Sequence, residues 1–417
     1  MVDEDLSPAL MQKVVPLATK LTSFASATES VNETLEVQLT TKRIERLTER
    51  IGGERVAERT AVVAQWNNLS LVKKLAAPPG VKAPVVVCVS CDGGRMQRCD
   101  LPEDAKTHWC EMKVGVLEEL QAESHAQDPC PQIPDKFLDL AKMDEITREI
   151  KGGVPKGTPF ERAIEEAIAD SANVVDSVGV GREPIVAKPP VVLARDVVAS
   201  LAECHAFGGQ LAAHAWSLGF ASATKKAFVG DGSSTNWGIW EREFKHQQYV
   251  PVLDFIHALT YVFSAAMAGR TREEGRESYT AWITALWRGD VVHVIAELQR
   301  RMVELGSPPS DAPDTDPRQI IADTVTYLTN QQSRMNYPCY RMAGLPITSS
   351  HIESAVKQIN RRVKGSEKFW TKKAGEAMLQ LRADQLSDTA PMNPFWKRRA
   401  ERAAGTRSHP RKSNTAP

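Results

Sequence analysis

The segment that most constrains this chain is Pro84-Val85-Val86-Val87-Cys88-Val89-Ser90-Cys91-Asp92-Gly93-Gly94. Its β-branched residues run on without the polar alternation of a strand that has one wet face. Such a strand is stable only when both of its faces are packed, so the chain must build a sheet with helices above and below it. Asp92-Gly93-Gly94 reads as the turn that ends the strand. Segments around Arg95–Cys99 and Trp109–Leu117 follow as antiparallel partners in a meander.

Two later apolar runs, Lys226-Ala227-Phe228-Val229-Gly230-Asp231 and Tyr249-Val250-Pro251-Val252-Leu253-Asp254, each end in an aspartate. Separated by helical sequence, they read as parallel strands whose carboxyl ends collect on one sheet edge, where open α/β sheets bind ligands. A helix is expected from Ala194 to Leu218. Helical periodicity then fills Phe255–Met342, with helices at Tyr279–Trp287, Asp290–Leu305 and Pro317–Asn330, and returns at Ser350–Lys364 and Trp370–Arg382. Residues 121–194 are Pro-rich and read as an irregular insertion around one helix at Pro159–Ala172.

Near the start, Thr41–Ile51 places Ile44, Leu47 and Ile51 at helical spacing, Gly52-Gly53 interrupts, and Glu54–Trp66 resumes. The pair reads as a DNA-binding helix-turn-helix or as an ordinary helical hairpin. The expected division is an N-terminal helical region (1–75), a core (82–257, interrupted by 121–194), a helical insertion (258–345), the last core helices (346–390) and a basic flexible tail (391–417).

With 25% charged and 42% hydrophobic residues, the composition is that of a globular chain and excludes a disordered one. Lys and Arg balance Asp and Glu at 52 each, which by itself argues against a polyanionic partner. The distribution reverses that inference, because residues 357–417 hold 15 Lys and Arg against 5 Asp and Glu. Seven cysteines without a repeating spacing fit a reducing compartment, and Met1-Val2-Asp3-Glu4-Asp5 is no signal peptide. The most apolar stretch, Val250–Gly269, contains Pro251, Asp254 and His257 and is a poor membrane span. The expectation is a cytoplasmic protein that makes no use of a membrane.

Asp92, Asp231 and Glu353 stand out as carboxylates at expected strand and helix ends. Phosphoryl transfer on nucleic acid asks for two divalent cations held by such groups, and hard Mg²⁺ or Mn²⁺ takes carboxylate oxygens. Gly93, Gly94, Gly230 and Gly232 would let a phosphate backbone come close. Each residue also has a plainer use: Asp-Gly makes turns, and Ser350-x-x-Glu353 matches a capping box. Glu353 leads a row of cations, Lys357, Arg361, Lys364 and Lys368, beside an apolar stripe of Ile352, Val356, Ile359 and Val363, as suits a helix lying along a phosphate backbone. Cys88-x-x-Cys91 has zinc-knuckle spacing but lies inside the buried strand with no second pair, so a metal role there is rejected.

The segments Val89-Ser90-Cys91-Asp92-Gly93-Gly94-Arg95, Val229-Gly230-Asp231-Gly232 with Trp237, Leu253-Asp254-Phe255-Ile256-His257, and Gly344-Leu345-Pro346-Ile347-Thr348-Ser349-Ser350-His351-Ile352-Glu353-Ser354-Ala355-Val356-Lys357 resemble bacterial insertion-sequence transposases of the DDE superfamily. Within it they are most similar to the Kra-type family, a distant relation of the Mutator-like elements. The resemblance spans roughly residues 40–385. It implies an RNase H-like α/β fold with a helical insertion before the last acid, and Asp92, Asp231 and Glu353 as the triad holding two Mg²⁺ or Mn²⁺ ions. The implied activity is DNA strand cleavage and strand transfer at the ends of a mobile element, with double-stranded DNA as partner and a homo-oligomer on that DNA. Asp254-x-x-His257 resembles an auxiliary Asp/Cys-x-x-His element, and Trp237 and Trp240 are expected either to stack on an unpaired base or to pack in the core. The chain departs from relatives in lacking any cysteine before Cys88 that could hold an end-binding zinc module, and in having Ser349-Ser350 where Ser-Gly is common. A DNA-binding relative that no longer cuts, and an RNase H-like nuclease or resolvase without strand transfer, are the alternatives.

Overall fold

A computed structural model describes residues 6–102, 104–151 and 189–405. The helix expected at Pro159–Ala172 lies outside the described residues.

The buried run becomes β1 (Val86–Arg98), and it does not turn at Asp92-Gly93-Gly94. β2 (Trp109–Gln121) pairs with it antiparallel along its whole length, from Val86↔Leu120 to Gln97↔Trp109, so one long strand replaces the two that were expected. Gly94 sits against the Met112 side chain across this pairing, where a Cβ would stand 2.4 Å from its Cε and push it aside. β3 (Val191–Ser200) pairs antiparallel with β2, β4 (Lys225–Gly230) runs parallel to β1, and β5 (Val250–Leu253) runs parallel to β4. The order is β3-β2-β1-β4-β5, with β6 (Phe369–Trp370) parallel to the far end of β1. The protein is therefore α/β, with a mixed sheet in which an antiparallel meander meets parallel strands. β3 corrects the helix expected from Ala194, which begins only at Cys204, because Val191–Ser200 finds the free edge of β2.

Helices cover both faces. α1 (Pro8–Lys20), α2 (Phe24–Leu35), α3 (Thr41–Asn67) and the single turn α4 (Leu71–Lys74) precede β1, and α5 (Leu140–Lys151) follows β2. After β3 come α6 (Cys204–Ser217), then α7 (Ser234–Ile239) between β4 and β5. The helical stretch expected from Phe255 is α8 (Phe255–Met267), α9 (Arg272–Trp287), α10 (Val291–Leu305), α11 (Pro317–Gln331) and α12 (Tyr337–Ala343). The chain ends in α13 (Ser350–Val363), β6, α14 (Lys372–Leu386) and α15 (Met392–Gly405). Among the described residues no helix is long and apolar enough to cross a membrane.

One core gathers α6, α8 and their neighbours on one sheet face; a second packs Ile352, Val356, Ile359 and Val363 of α13 on Met96, Met112, Val114 and Val116 of the other. A third joins Val14, Val15, Ile44, Leu47 and Ile51 of the N-terminal helices to Leu381 of α14 and to Phe395 and Trp396 of α15.

That third core overturns two expectations. Gly52-Gly53 does not interrupt a helix-turn-helix; α3 runs through it. Gly52 lies against α14, where a Cβ would come 2.6 Å from the carbonyl oxygen of Ala377, so the glycine sets a close helix crossing. Residues 392–405 of the expected flexible tail form α15, which docks on α3 through Arg398–Glu58 at 2.8 Å and through Arg399–Glu54. Arg55 of α3 adds a 2.9 Å contact to the buried Asp384 of α14.

The two glycines give opposite expectations. Gly52→Leu should destabilise the fold by about 1–3 kcal/mol through overpacking. Gly53→Ala, where nothing lies within 4 Å, should stabilise by up to about 1 kcal/mol. Urea denaturation of both variants checks the pair; equal effects would contradict the close α3–α14 crossing.

Candidate active site

The parallel pairing of the sheet stops in a staggered row. β1 and β4 pair last at Ser90↔Val229, and β4 and β5 at Gly230↔Leu253. Asp92, Asp231 and Asp254 each lie within two residues beyond those pairs, so the strands present three carboxylates at one edge. Asp92 does so from within a continuing strand. Glu353 arrives in the first turn of α13, whose apolar stripe fixes which way the helix faces.

The four acids influence one another. Desolvation pushes Asp92 up to about 6; the Gly93 N–H, 2.6 Å from its Oδ1, and His257 oppose this, while Asp231 and Asp254 add to it. Desolvation pushes Glu353 up to about 7, with Asp254 and Asp92 adding and His257 and Lys357 opposing. Burial disfavours protonated His257, yet Asp254, Glu353 and Asp231 outweigh it and raise the imidazole to about 9. The site is thus a nest of carboxylates with an imidazolium as its internal counter-charge.

Asp254, of the expected auxiliary pair, holds backbone on two sides. Its Oδ1 accepts from Ile256 N at 2.7 Å and so caps α8, while its Oδ2 accepts from Ser349 N at 2.9 Å and from the Ser349 hydroxyl. His257 Nδ1 stands 3.7 Å away. Burial would raise this carboxyl, but His257, Ser349 and Ile256 hold it below the usual range. Both oxygens of Asp254 hold backbone in place, and through Ser349 they hold the start of the helix that carries Glu353.

The same bond removes the expected capping box. Ser349 is the N-cap of α13 and its side chain serves Asp254, while Ser350 is already helical. Glu353 is therefore free of capping duty. His351 contacts the buried Glu118 of β2 and fixes the same turn.

Asp231 is held by its own loop and by the helical insertion. Its Oδ1 accepts from Ser233 N at 2.9 Å and from Asn236 Nδ2 at 2.8 Å. Asn236 also bonds the Cys91 carbonyl at 2.9 Å, which ties the loop to β1. From α11, the Tyr327 hydroxyl donates to the Asp231 carbonyl at 2.7 Å and Gln331 Nε2 to the Gly232 carbonyl at 3.0 Å. Gly232 has φ +100°, and a Cβ there would stand 2.6 Å from the Tyr327 ring. The missing Cβ of this glycine makes room for Tyr327.

A cleft of about 200 Å³ opens beside Asp92 and Asp231, lined also by Gly93, Glu111, Lys113 and Asn236. Lys113, 7% exposed, pairs with Glu111 at 2.8 Å. Sequence reasoning missed this pair; its signal was a lysine inside the apolar strand Met112–Leu117.

Other candidates move. Trp237 is 8% exposed, packed on Phe228 with Arg334 4.4 Å over its ring, and Trp240 bonds the Tyr249 carbonyl at 2.9 Å. Of the two uses expected for Trp237, core packing is the one found. The cation row is also shorter than expected: α13 ends at Val363, so Lys357 and Arg361 follow Glu353 on the helix, whereas Lys364 and Lys368 lie in the loop beyond it. Cys88 and Cys91 are buried thiols pushed up by desolvation.

Among the described residues no three His, Cys, Asp or Glu side chains stand close enough to form a ready-made metal cage. The donor set nonetheless fits a hard divalent cation: carboxylate oxygens, desolvated and repelling one another, offset in part by His257, Lys357 and the Gly93 N–H. No protein-family model matches this chain, and no curated protein matches it at a significant level.

Stability without metal should follow the carboxylates. Asp92 and Glu353 have folded values above their ordinary 3.8 and 4.5, so their penalty is absent below about pH 4 and grows as pH rises through 6 and 7. In chelator at pH 8, Asp92→Asn and Glu353→Gln should therefore be more stable than wild type, and at pH 4 nearly equal to it. Asp254→Asn should be less stable by about 1–3 kcal/mol at pH 8, because it breaks satisfied buried hydrogen bonds. Denaturation curves at the two pH values check this; stabilisation by Asp254→Asn would contradict its clamping role.

Proposed function

We propose that this protein is a DNA transposase of the DDE type, built on an RNase H-like core, which cleaves DNA strands and joins the freed end to a target. The observation that carries the reading is the convergence of Asp92, Asp231 and Glu353, from three separated parts of the chain, on one electrostatically coupled edge of the sheet. The mixed sheet, with its antiparallel meander, parallel strands and helices α8–α12 placed between the second Asp and the Glu, supports it as well.

In this reading Asp92, Asp231 and Glu353 hold two Mg²⁺ or Mn²⁺ ions, which when bound activate the attacking oxygen and stabilise the leaving one. Asn236, Ser233 and Tyr327 hold the Asp231 loop, and Asp254 with Ser349 holds the Glu353 turn. His257 supplies positive charge to the acids and a proton near the Glu353 carboxyl. Lys357, Arg361, Lys364 and Lys368 draw the phosphate backbone toward that edge. Duplex DNA is the partner, and joining two ends to one target calls for more than one copy of the chain.

Asp92→Asn, Asp231→Asn and Glu353→Gln should each lower Mg²⁺-dependent strand cleavage about a thousandfold or more, and double variants should lose little further, since the acids act as a unit. DNA binding should persist in all three. Ca²⁺ should support binding without cleavage, because it coordinates too loosely to position the reacting oxygens. Cleavage assays on intact and pre-nicked DNA with folded variants check this; near wild-type cleavage by Glu353→Gln would remove α13 from the site. Hydrolysis without any joined product would favour the nuclease alternative.

A further inference from the structure

β1 and β2 stay paired from Asp92↔Val114 out to Gln97↔Trp109, well past the last pair between β1 and β4. One side of this ribbon is covered by α13 and α14, which bury Met96 and Met112. Strand alternation places Gly93, Arg95, Gln97, Trp109, Glu111 and Lys113 on the other side. There Gly93, Arg95 and Glu111 are exposed.

At the outer end, Trp109 and Phe369 flank Gln97 in register on its two neighbouring strands, 37% and 48% exposed. Lys364 Nζ stands 5.8 Å over the Trp109 ring, and His108 braces Phe369 edge-on at 5.6 Å. At the inner end, the same face enters the cleft lined by Gly93, Glu111, Lys113, Asp92 and Asp231. Arg95 and Lys364 thus lie along a surface with acids at one end and aromatic rings at the other. Between them the carboxylate of Glu111 is neutralised by the buried Lys113.

Cations with interleaved aromatic faces match an unpaired nucleic-acid strand, whose phosphates meet the charges and whose bases have free faces to stack. A duplex keeps its bases stacked on one another and has no use for the rings. We propose that this face is a binding track for an unpaired DNA strand, running from the Asp92–Asp231 cleft to a stacking site formed by Trp109 and Phe369. The proposal rests on the reading of the protein as a DNA-cleaving enzyme. From Gly93 to Gln97 the ribbon advances roughly 13 Å at strand rise, so the stacking site lies a few nucleotides from the cleft.

The test uses the full chain in EDTA, where no cleavage occurs, with two fluorescent probes: a blunt duplex and the same duplex carrying an unpaired eight-nucleotide arm. Trp109→Ala and Phe369→Ala should each weaken binding to the armed probe about ten- to hundredfold and leave blunt-duplex binding unchanged. Trp109→Phe should restore most of the loss. A 2-aminopurine moved along the arm should change its fluorescence at one position on binding wild type and at none on binding Trp109→Ala. Unchanged affinity of Trp109→Ala for the armed probe, or equal loss on both probes, overturns the track alone. So does a shift in oligomeric state with DNA binding intact, which would make this face a contact between copies. Wild-type protein that binds neither probe overturns the DNA reading beneath the proposal as well.

Discussion

The buried carboxylate of Asp254 joins three parts of the molecule that are far apart in sequence. It follows β5, caps α8, and accepts both the amide and the hydroxyl of Ser349 at the start of α13. An ionised carboxylate in such a place is tolerable only because donors from both helices and His257 surround it. Glu353 lies four residues beyond Ser349, so this one group couples the carboxyl edge of the sheet to the position of the last acid. Neutralising the carboxylate would leave the Ser349 donors with a weaker acceptor and the Glu353 turn without its anchor.

The rest of the scaffold repeats that logic with other chemistry. Tyr327 and Gln331 of α11 hold the Asp231-Gly232 turn from outside, and Tyr327 stacks on Tyr261 of α8 at 3.8 Å. The helical insertion is therefore a support of the second acid. On the opposite sheet face, α13 and α14 lie between the sheet and the N-terminal helices. Arg362 of α13, 2% exposed, donates to the Ala18 carbonyl at 3.0 Å and lies against Phe24 and Trp370. Burial lowers its guanidinium to about 10. The helix that presents Glu353 is thus tied through Arg362 to the end of α1.

Much of this could be read from the chain, and the failures have physical causes. β4, β5 and α8 follow from apolar runs that end in aspartate, and the stripe Ile352, Val356, Ile359 and Val363 identified the buried face of α13 because helical spacing and hydrophobicity agree there. Gly52-Gly53 and Asp92-Gly93-Gly94 misled for one reason: glycine permits a turn but also permits close approach, and Ala377 and Met112 decide between the two. Those partners are hundreds of residues away in one case and across a strand pair in the other. Val191–Ser200 contains Leu, Ala and Arg that suit a helix, and becomes β3 through pairing with β2. The resemblance singled out Asp92, Asp231 and Glu353, but nothing in the sequence pointed to the bond between Asp254 and Ser349, which lies 95 positions away.

The functional account turns on electrostatics that the protein alone leaves unbalanced. Asp92 and Glu353 sit near 6 and 7 through desolvation and mutual repulsion, with His257 held near 9 among them. A divalent cation would relieve that repulsion more fully than an imidazolium can. The most direct measurement replaces Mg²⁺ with Fe²⁺ in the full chain, adds ascorbate and peroxide, and maps where the locally generated radicals cut the polypeptide. The account predicts cuts clustered beside Asp92, Asp231 and Glu353 that excess Mg²⁺ suppresses and that Asp231→Asn abolishes at all three places together. Cutting confined to other parts of the chain, or unaffected by Asp231→Asn, would contradict a shared metal site.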